Sequence, residues 1–300
     1  MSESLVNTKR RIATIRSTEK ITKAMKLVAA VKYQRWRKAY DNNSGYFMAM
    51  ERTLQRALSS LYSASLDEID VKLPPAMVDH PEAKKDLVLI VSSSLGLCGA
   101  YNYNLFKLAD SLLKPEDELI LIGEKARGHY QNSRHTCNND YVALGDNPTY
   151  ASVRKLRHYL VRAYKTGKYR NVRLIYTHYK NSLTFLPTEL TLLPFQPENV
   201  ELTIDKSASY PPIYEPSLQD VIESIVPHYI DALMYRKMLD SLVSEQASRR
   251  NAMETATDAA DKISAQLRLE YNKARQNAIT QEITEVVAGA NAGKKKDEEE

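Results

Sequence analysis

The stretch TEKITKAMKLVAAVK, residues 18–32, decides how the chain begins. It contains no glycine or proline, and its apolar side chains recur every three or four residues, at Ile21, Met25, Val28 and Val31. This spacing predicts a helix with one narrow apolar stripe, which suits a single partner helix better than a broad core. The stretch therefore raises the question of what a basic, narrow-seamed helix packs against.

The distribution of glycine and proline predicts the domain plan. Residues 2–73 contain only Gly45, residues 228–288 contain neither residue type, and most of the others lie between Pro74 and Pro227. Because these residues interrupt helices, the chain is predicted to run as long helix, α/β domain, long helix. The predicted boundaries are an N-terminal helix over 1–73, a central α/β domain over 74–217, a C-terminal helix over 218–290 and a charged, disordered tail over 291–300.

The central region alternates short apolar runs with amphipathic ones. The predicted strands are DLVLIV (86–91), ELILIG (118–123), YVALG (141–145), NVRLIYTHY (171–179) and LTFLPTELTLLPF (183–195). Helical patterns lie between them, beginning at Tyr101, Glu124 and Tyr150. Such alternation predicts a Rossmann-like α/β sheet, with mixed strand pairing near its end.

The long helices are too long for this domain to cover. The 61 residues of 228–288 would span roughly 90 Å, whereas about 130 residues of α/β domain have a radius of gyration near 14 Å. We therefore predict that the two helices form an antiparallel coiled coil extending from the domain; a larger bundle is the alternative, but the sequence lacks further long helices. The predicted seam comprises Ile12, Ile15, Ile21, Met25, Val28 and Val31 in the first helix, and Ala256, Ala260, Ile263, Leu267, Ala274, Ala278, Ile283 and Val287 in the second.

Composition excludes several classes of protein. Lys+Arg number 42 against 37 Asp+Glu, and residues 1–40 alone carry eleven basic and two acidic residues, 11 − 2 = +9. This basic arm is a solvated face, a phosphate binder, or a helix inside an acidic sleeve of another protein. No apolar run is long enough for a transmembrane helix or a signal peptide. Two cysteines, Cys98 and Cys137, without CxxC spacing, predict neither a disulfide framework nor a metal site.

No motif predicts a cofactor or a catalytic centre. GLCGAYN (96–102) lacks the GxGxxG spacing of a dinucleotide site, and GANAGKKK (289–296) is one residue short of a phosphate-binding loop and lacks its Ser or Thr. The six histidines are scattered and suggest no catalytic triad. Seven tyrosines from residue 141 to residue 179 lie near basic residues, which favours a polar protein interface over a nucleic-acid surface.

Five segments resemble the γ subunit of F-type ATP synthases. KRRIATIRSTEKITKAMKLVAAVKYQR (9–35) resembles the N-terminal signature of that family, and GLCGAYN resembles its Gly-Leu-Cys-Gly-Gly-Phe-Asn turn. SEQASRRNAMETATDAADKI (244–263) and YNKARQNAITQEITEVVAGA (271–290) resemble its C-terminal signature, and IYEP (213–216) resembles the segment before the last helix. The resemblance extends over nearly the whole chain.

This resemblance implies a rotor shaft. In the family, the coiled coil stands inside a ring of three α and three β subunits, which bind and turn over the nucleotide. The α/β domain binds the ε subunit and rests on the ring of c subunits, which proton flow rotates. The chain is thus expected to be a non-catalytic subunit with no cofactor, no nucleic-acid partner and no membrane insertion, peripheral on the cytoplasmic face of a bacterial membrane.

The resemblance also implies which residues contact the partner subunits. Arg275, Gln276, Thr280 and Glu282 match family positions that hydrogen-bond to β-subunit loops. Met25 and Arg249 match positions at the height of a mobile β segment, Lys20, Lys23 and Lys26 either face acidic β loops or solvent, and Glu215 lies near ε and the c ring. The chain departs from the family at Ser94-Leu95, where Asp-Arg is usual, and in its tail GKKKDEEE.

Two other functions stay open at this point. One is a γ-like shaft of a specialised rotary ATPase that lacks a proton channel. The other is a basic coiled-coil protein that binds nucleic acid, for which binding would weaken steeply with salt.

Overall fold

The computed structural model describes residues 2–63, 74–196 and 212–297. The chain divides into two units, a helical unit of residues 1–28 with 250–300 and a larger unit of residues 29–249. Two long helices, α1 (Ser2–Ser63) and α5 (Leu218–Asp297), contribute to both. The four-part division stays a prediction: residues 64–73 of its first helix and 298–300 of its tail lie outside the described residues.

The larger unit contains a five-stranded sheet. Its strands are β1 (Lys85–Val91), β2 (Glu118–Ile122), β3 (Thr136–Asn138), β4 (Tyr169–Tyr179) and β5 (Phe185–Leu193). The spatial order is β3-β2-β1-β4-β5, with the first four strands parallel and β5 antiparallel to β4. The connecting helices are α2 (Tyr101–Leu112), α3 (Glu124–Tyr130) and α4 (Tyr150–Tyr164). The predicted α/β class and the mixed pairing at the end of the sheet are confirmed.

The third predicted strand, YVALG, is wrong. Residues Val142–Gly145 form a 3₁₀ helix, and β3 lies earlier. Gly123 follows β2 with a φ of +88° and donates its N–H to the Val142 carbonyl at 2.9 Å. A Cβ on Gly145 would lie 2.8 Å from the Gly123 Cα. The apolar segment therefore crosses the end of β2 at close range instead of pairing beside it.

Helices bury both faces of the sheet. Val88, Ile90, Leu119 and Leu121 pack with α2 and α3 on one face. The other face of β1 and β2 packs with α4 and with both long helices, including Leu54 and Leu58 of α1 and Ile222, Val226 and Ile230 of α5. Because both faces are covered, the parallel strands read as continuous apolar runs. The long helices are thus part of the core of the larger unit.

Within the larger unit, α1 and α5 also pack directly on each other. Trp36 of α1 lies in a cluster with Leu239, Leu242 and Val243 of α5. The Arg236 guanidinium of α5 lies 4.2 Å from the ring centroid of Tyr40 and donates a hydrogen bond to Ser44 at 2.9 Å. Aromatic faces attract such a cation, so the contact between the helices is partly directional.

In the helical unit the two helices form an antiparallel seam with coiled-coil spacing. The least exposed positions step by threes and fours: Leu5, Thr8, Ile12, Ile15, Glu19 and Thr22 in α1, and Met253, Thr257, Ala260, Ser264, Leu267, Tyr271, Ala274 and Ala278 in α5. The Thr257 hydroxyl donates to that of Thr22 at 2.8 Å, and Lys26 pairs with Glu254 at 2.7 Å. The predicted antiparallel packing of the two helices is confirmed.

Several predicted seam residues are nevertheless exposed. Ile21 and Val28 are each 57% exposed and Val31 is 67% exposed. In α5, the predicted seam residues Ile263, Ile283 and Val287 are 45%, 58% and 53% exposed. The seam instead uses Thr22, Thr257 and Ser264, which are buried. The prediction placed apolar residues inward by type, whereas the heptad spacing brings neighbouring hydroxyl-bearing residues to the interface.

Glu118 ties three strands together at their amino ends. Its carboxylate accepts hydrogen bonds from Lys85 of β1, from Lys168 at 2.7 Å and from the Tyr169 hydroxyl of β4. Partial burial alone would raise the pKa of Glu118, but the hydrogen bonds from Lys168, Lys85 and Tyr169 outweigh it and lower the pKa to about 2. The ionised form is therefore stabilised by folding.

We expect Glu118→Gln to lower the free energy of unfolding by about 1–2 kcal/mol at pH 7, after allowance for solvent screening. Because the folded pKa lies below the ordinary value of 4.5, this contribution is complete above pH 4.5 and is lost as the pH falls toward 2. Urea unfolding of both proteins at pH 7, 4 and 3 measures it. A difference that stays constant across this range contradicts the assignment.

Candidate partner interface

The predicted lysines of α1 lie on the surface of the helical unit. Lys20 and Lys23 are exposed and Lys26 is half-buried. Lys23 pairs with Glu19 one turn earlier, and this hydrogen bond lowers the pKa of Glu19 and raises the pKa of Lys23. Lys26 pairs with Glu254 across the seam. Exposed pairs of this kind are weak, so both lysines can exchange these carboxylates for those of a partner.

An apolar strip lies beside these lysines, outside the seam. Ile21 and Val28 are joined on this surface by Leu27, which is 68% exposed. Met25 is half-buried at the flank of the seam. Contiguous exposed apolar side chains on a protein surface mark interaction sites. The strip and the lysines together provide an amphipathic surface for a second protein.

The end of α5 has a similar surface. The predicted contacts Arg275, Gln276, Thr280 and Glu282 are all exposed. Between and beyond them, Ile279, Ile283 and Val286 are 43%, 58% and 71% exposed. These three residues are spaced by four and three, so they share one helix face, and this face lies beside the seam position Ala278 and is exposed. The structure thus brings the four polar residues to one apolar strip.

Arg249 is placed differently from the other predicted contacts. It is 6% exposed, in the larger unit. Its guanidinium donates to the carbonyls of Leu95 at 2.9 Å and Gly96 at 3.3 Å, and pairs with Glu245 at 2.6 Å. Burial raises the pKa of Glu245, against the opposing effect of Arg249. Arg249 binds main-chain carbonyls, so this contact does not depend on the side chain of residue 95. It therefore forms although Leu95 stands where the resemblance led us to expect an arginine.

Glu215 lies in another region of the larger unit. It is exposed and precedes Pro216, with a cis peptide bond between them. Together with Tyr46 and Met50 of α1 and Ile225 of α5, it lines a cleft of about 530 Å³. The Ser217 hydroxyl accepts the N–H of Asp220 at 3.1 Å and so caps the first turn of α5. The residues that line this cleft include none of the other predicted contacts.

Three tyrosines of the tyrosine-rich region lie in the protein core and not at the predicted polar interface. Tyr164, Tyr169 and Tyr176 are buried in the core of the larger unit. The Tyr164 hydroxyl donates to the Val78 carbonyl at 2.8 Å, and burial raises the pKa of Tyr169. Tyr159 is 37% exposed. For the three buried residues the prediction of a surface role is wrong, because a tyrosine can bury its ring while its hydroxyl reaches a polar partner. For the others it stays a prediction.

The sequence did not reveal the contacts made by the serines of α5. Ser241, Ser244 and Ser248 are buried and hydrogen-bond to the α/β domain. Their spacing of three and four residues is a signal that small side chains face a close neighbour. That signal is easily missed because a stripe of serine has no apolar pattern.

The part of the chain that the structure describes contains neither a metal-ligand cluster nor a membrane-spanning helix. No three or more His, Cys, Asp or Glu side chains are grouped so as to hold a metal ion. Among the same residues, none of the helices has the length and apolar character needed to cross a bilayer.

Comparison with known proteins gives the family. The model of the ATP synthase family matches residues 4–292. The ATP synthase gamma chain of Symbiobacterium thermophilum is 36% identical, covering 97% of this chain and 99% of that protein. The gamma chain of Alkaliphilus metalliredigens is 32% identical with the same coverage. A sodium ion specific gamma chain from Acetobacterium woodii is 29% identical over 97% of this chain and 99% of its own length.

Solved structures give the same fold. A chain of the central stalk and c ring of the Tetrahymena thermophila mitochondrial ATP synthase matches with a TM-score of 0.51 and 25% identity, covering 79% of this chain and 99% of that chain. A chain of the Euglena gracilis mitochondrial ATP synthase has a TM-score of 0.61 at 17% identity, covering 97% and 95%. With relatives above 30% identity along nearly the full length, the chain belongs to the ATP synthase gamma chain family.

Proposed function

We propose that the chain is the central stalk subunit of a rotary ATP synthase and couples ion flow through a membrane c ring to ATP synthesis by α and β subunits. The observation that carries this proposal is the full-length family match. It is supported by the exposed apolar strips on α1 and α5. An exposed apolar strip on a helix that carries no catalytic group fits a structural rotor element better than an enzyme.

The mechanism we propose is coupling by unequal contacts. A ring of three α and three β subunits meets a different side of the helical unit at each β subunit. Each β subunit is then stabilised in a different conformation, because a ligand shifts an equilibrium only through its different affinity for the two states. Rotation exchanges these contacts among the β subunits in sequence. Nucleotide chemistry belongs to the ring, and this chain has no catalytic part in it.

Most of the residues proposed to contact the ring are exposed or half-buried on the helical unit. Arg275, Gln276, Thr280 and Glu282 offer donors and acceptors beside the Ile279 strip. Lys20, Lys23 and Lys26 offer cations to acidic loops, and Met25 offers a flexible apolar contact. Arg249 of the larger unit is proposed to act indirectly, through the turn at Leu95 and Gly96 that it holds. Glu215 is proposed to face ε and the c ring.

We expect co-expression with the α and β subunits of the same organism to yield a complex of three α, three β and one copy of this chain. Recovery of this chain without α and β would contradict the proposal.

Arg275→Ala combined with Gln276→Ala should lower coupled ATP synthesis about tenfold, since charged hydrogen bonds contribute about 1.5–3 kcal/mol each. Circular dichroism should show an unchanged α/β domain.

The matched control replaces two exposed cations of the α/β domain, Arg154→Ala with Lys155→Ala, which are exposed on α4. This control should synthesise ATP at the wild-type rate. Equal rates in the Arg275/Gln276 variant and the control would show that the contact is misplaced.

We further propose that the coupling ion is the proton and that the complex lies on the cytoplasmic face of a bacterial membrane. The sodium ion specific relative makes this a separate question. Inverted vesicles energised by a pH gradient should synthesise ATP, and a protonophore should abolish it. Synthesis driven only by a sodium gradient would overturn the ion assignment. ATP hydrolysis by the complex with no response to either gradient would favour the alternative, a rotary ATPase without a channel.

A further inference from the structure

One segment of α5 is buried on every side. All twelve residues from Met238 to Arg249 are buried within the larger unit. Leu239, Leu242 and Val243 face Trp36 of α1. A single helix normally keeps one face in water, so the opposite side of this segment must also have a partner.

That opposite side carries a row of hydrogen bonds to the α/β domain. The hydroxyls of Ser241 and Tyr101 lie 2.7 Å apart, Ser244 donates to the Thr177 carbonyl at 3.1 Å, and Ser248 donates to the Cys98 carbonyl at 2.7 Å. The three serines follow one another by three and four residues, so they lie on one face of the helix.

Asp240 extends this row at its first turn. Its carboxylate accepts the Tyr179 N–H at 3.0 Å and lies 2.6 Å from His178 Nδ1. Asp240 itself is 3% exposed. A buried carboxylate must keep its hydrogen-bond partners, because losing one leaves a polar oxygen buried without a partner. The position of Asp240 relative to Tyr179 and His178 is therefore tightly constrained.

The row occupies a particular place in the α/β fold. Cys98 lies in the turn after β1, and Thr177 lies near the carboxyl end of β4. The strand order reverses between these two neighbouring strands. In open α/β sheets this crevice is where ligands bind. In this chain α5 fills the crevice, and its serines take hydrogen bonds that a ligand would otherwise make.

We infer that this row, Asp240, Ser241, Ser244 and Ser248, is the joint that fixes the rotational setting of α5 against the α/β domain and so transmits torque between them. The inference rests on the proposed function. Apolar packing is non-directional and by itself tolerates a small turn or slide of the helix. Hydrogen bonds are directional, and a turn of the helix would leave these buried groups unpaired. The four residues are therefore positioning residues for rotation.

The test measures torsional stiffness in the assembled complex. The α and β subunits are immobilised, and a bead is attached to the α/β domain through Tyr103→Cys, a position 69% exposed on α2, with Cys137→Ser as background. In complexes stalled without ATP, Ser241→Ala/Ser244→Ala/Ser248→Ala should at least double the variance of the bead angle. Attachment to α5 itself through exposed Glu223→Cys should give the same variance with and without the three replacements.

The matched control removes two hydroxyls of α5 outside the row, Ser224→Ala with Thr255→Ala, both at exposed positions, and should leave the variance at Tyr103→Cys unchanged. If the triple variant does not assemble, Ser244→Ala alone is measured, and an increase of about half is expected. Wild-type variance in either variant overturns the inference while leaving the proposed function intact. A wild-type complex that never rotates with ATP overturns both.

Discussion

Replacing Asp231 by alanine is expected to destabilise the larger unit by about 3–5 kcal/mol. Arg157 of α4 donates to both carboxylate oxygens of Asp231 in α5, from Nε at 2.9 Å and from Nη2 at 3.1 Å. The side chains are only 8% and 1% exposed. Removal of the carboxylate leaves the Arg157 guanidinium buried without its counterion, and that uncompensated charge gives the large effect.

Urea unfolding monitored by circular dichroism measures this change. The double variant Arg157→Met/Asp231→Leu removes both charges and should recover more than half of the loss, because apolar residues of similar volume replace a buried pair at little cost. Glu223→Ala, at an exposed position of α5, serves as a control with an expected change below about 0.5 kcal/mol. A loss from Asp231→Ala no larger than in this control would refute the role of the ion pair.

Gly123→Ala is expected to cost a similar amount, about 3–5 kcal/mol, for a steric reason. The added Cβ would lie 2.3 Å from the Ser92 carbonyl oxygen, and the φ of +88° is unfavourable for a side chain. Overpacking of this kind costs about 1–3 kcal/mol and the backbone conformation adds a comparable amount. Thermal unfolding of the purified chain measures the sum.

Gly128→Ala is the matched control, five residues later in α3. A Cβ there meets nothing within 4 Å, and alanine is the better helix former. We therefore expect this variant to gain about 0.4–1 kcal/mol. Equal stability of the Gly123 and Gly128 variants would show that the contact with Ser92 relaxes easily.

The sequence predicted those features of the fold that follow from local pattern. Runs such as residues 86–91 and 118–122 are apolar because both faces of the sheet are covered, and the long interval without glycine or proline before Ala288 is helical as expected. The prediction for residues 142–145 is wrong because their structure depends on Gly123, which lies about twenty residues earlier. Local pattern does not contain contacts of that kind.

The site was predictable in a more limited way. The resemblance selected Arg275, Gln276, Thr280 and Glu282, and all four are exposed, as contact residues must be. It also selected Arg249, whose hydrogen bonds are within its own chain. Nothing in a single sequence distinguishes an arginine that meets a partner from one that holds a turn. That distinction depends on which carbonyls the folded chain brings within reach.

The hydroxyl-lined seam between α1 and α5 has a consequence for assembly. Where Thr22, Thr257, Ala260 and Ser264 meet, the two helices bury little apolar surface, so this part of the seam contributes little to holding them together. In a lone polypeptide we expect them to separate readily and close again. The two helix segments would then stay together only once neighbouring subunits enclose them. Stable pairing of these segments would thus be a late step in assembly of the complex.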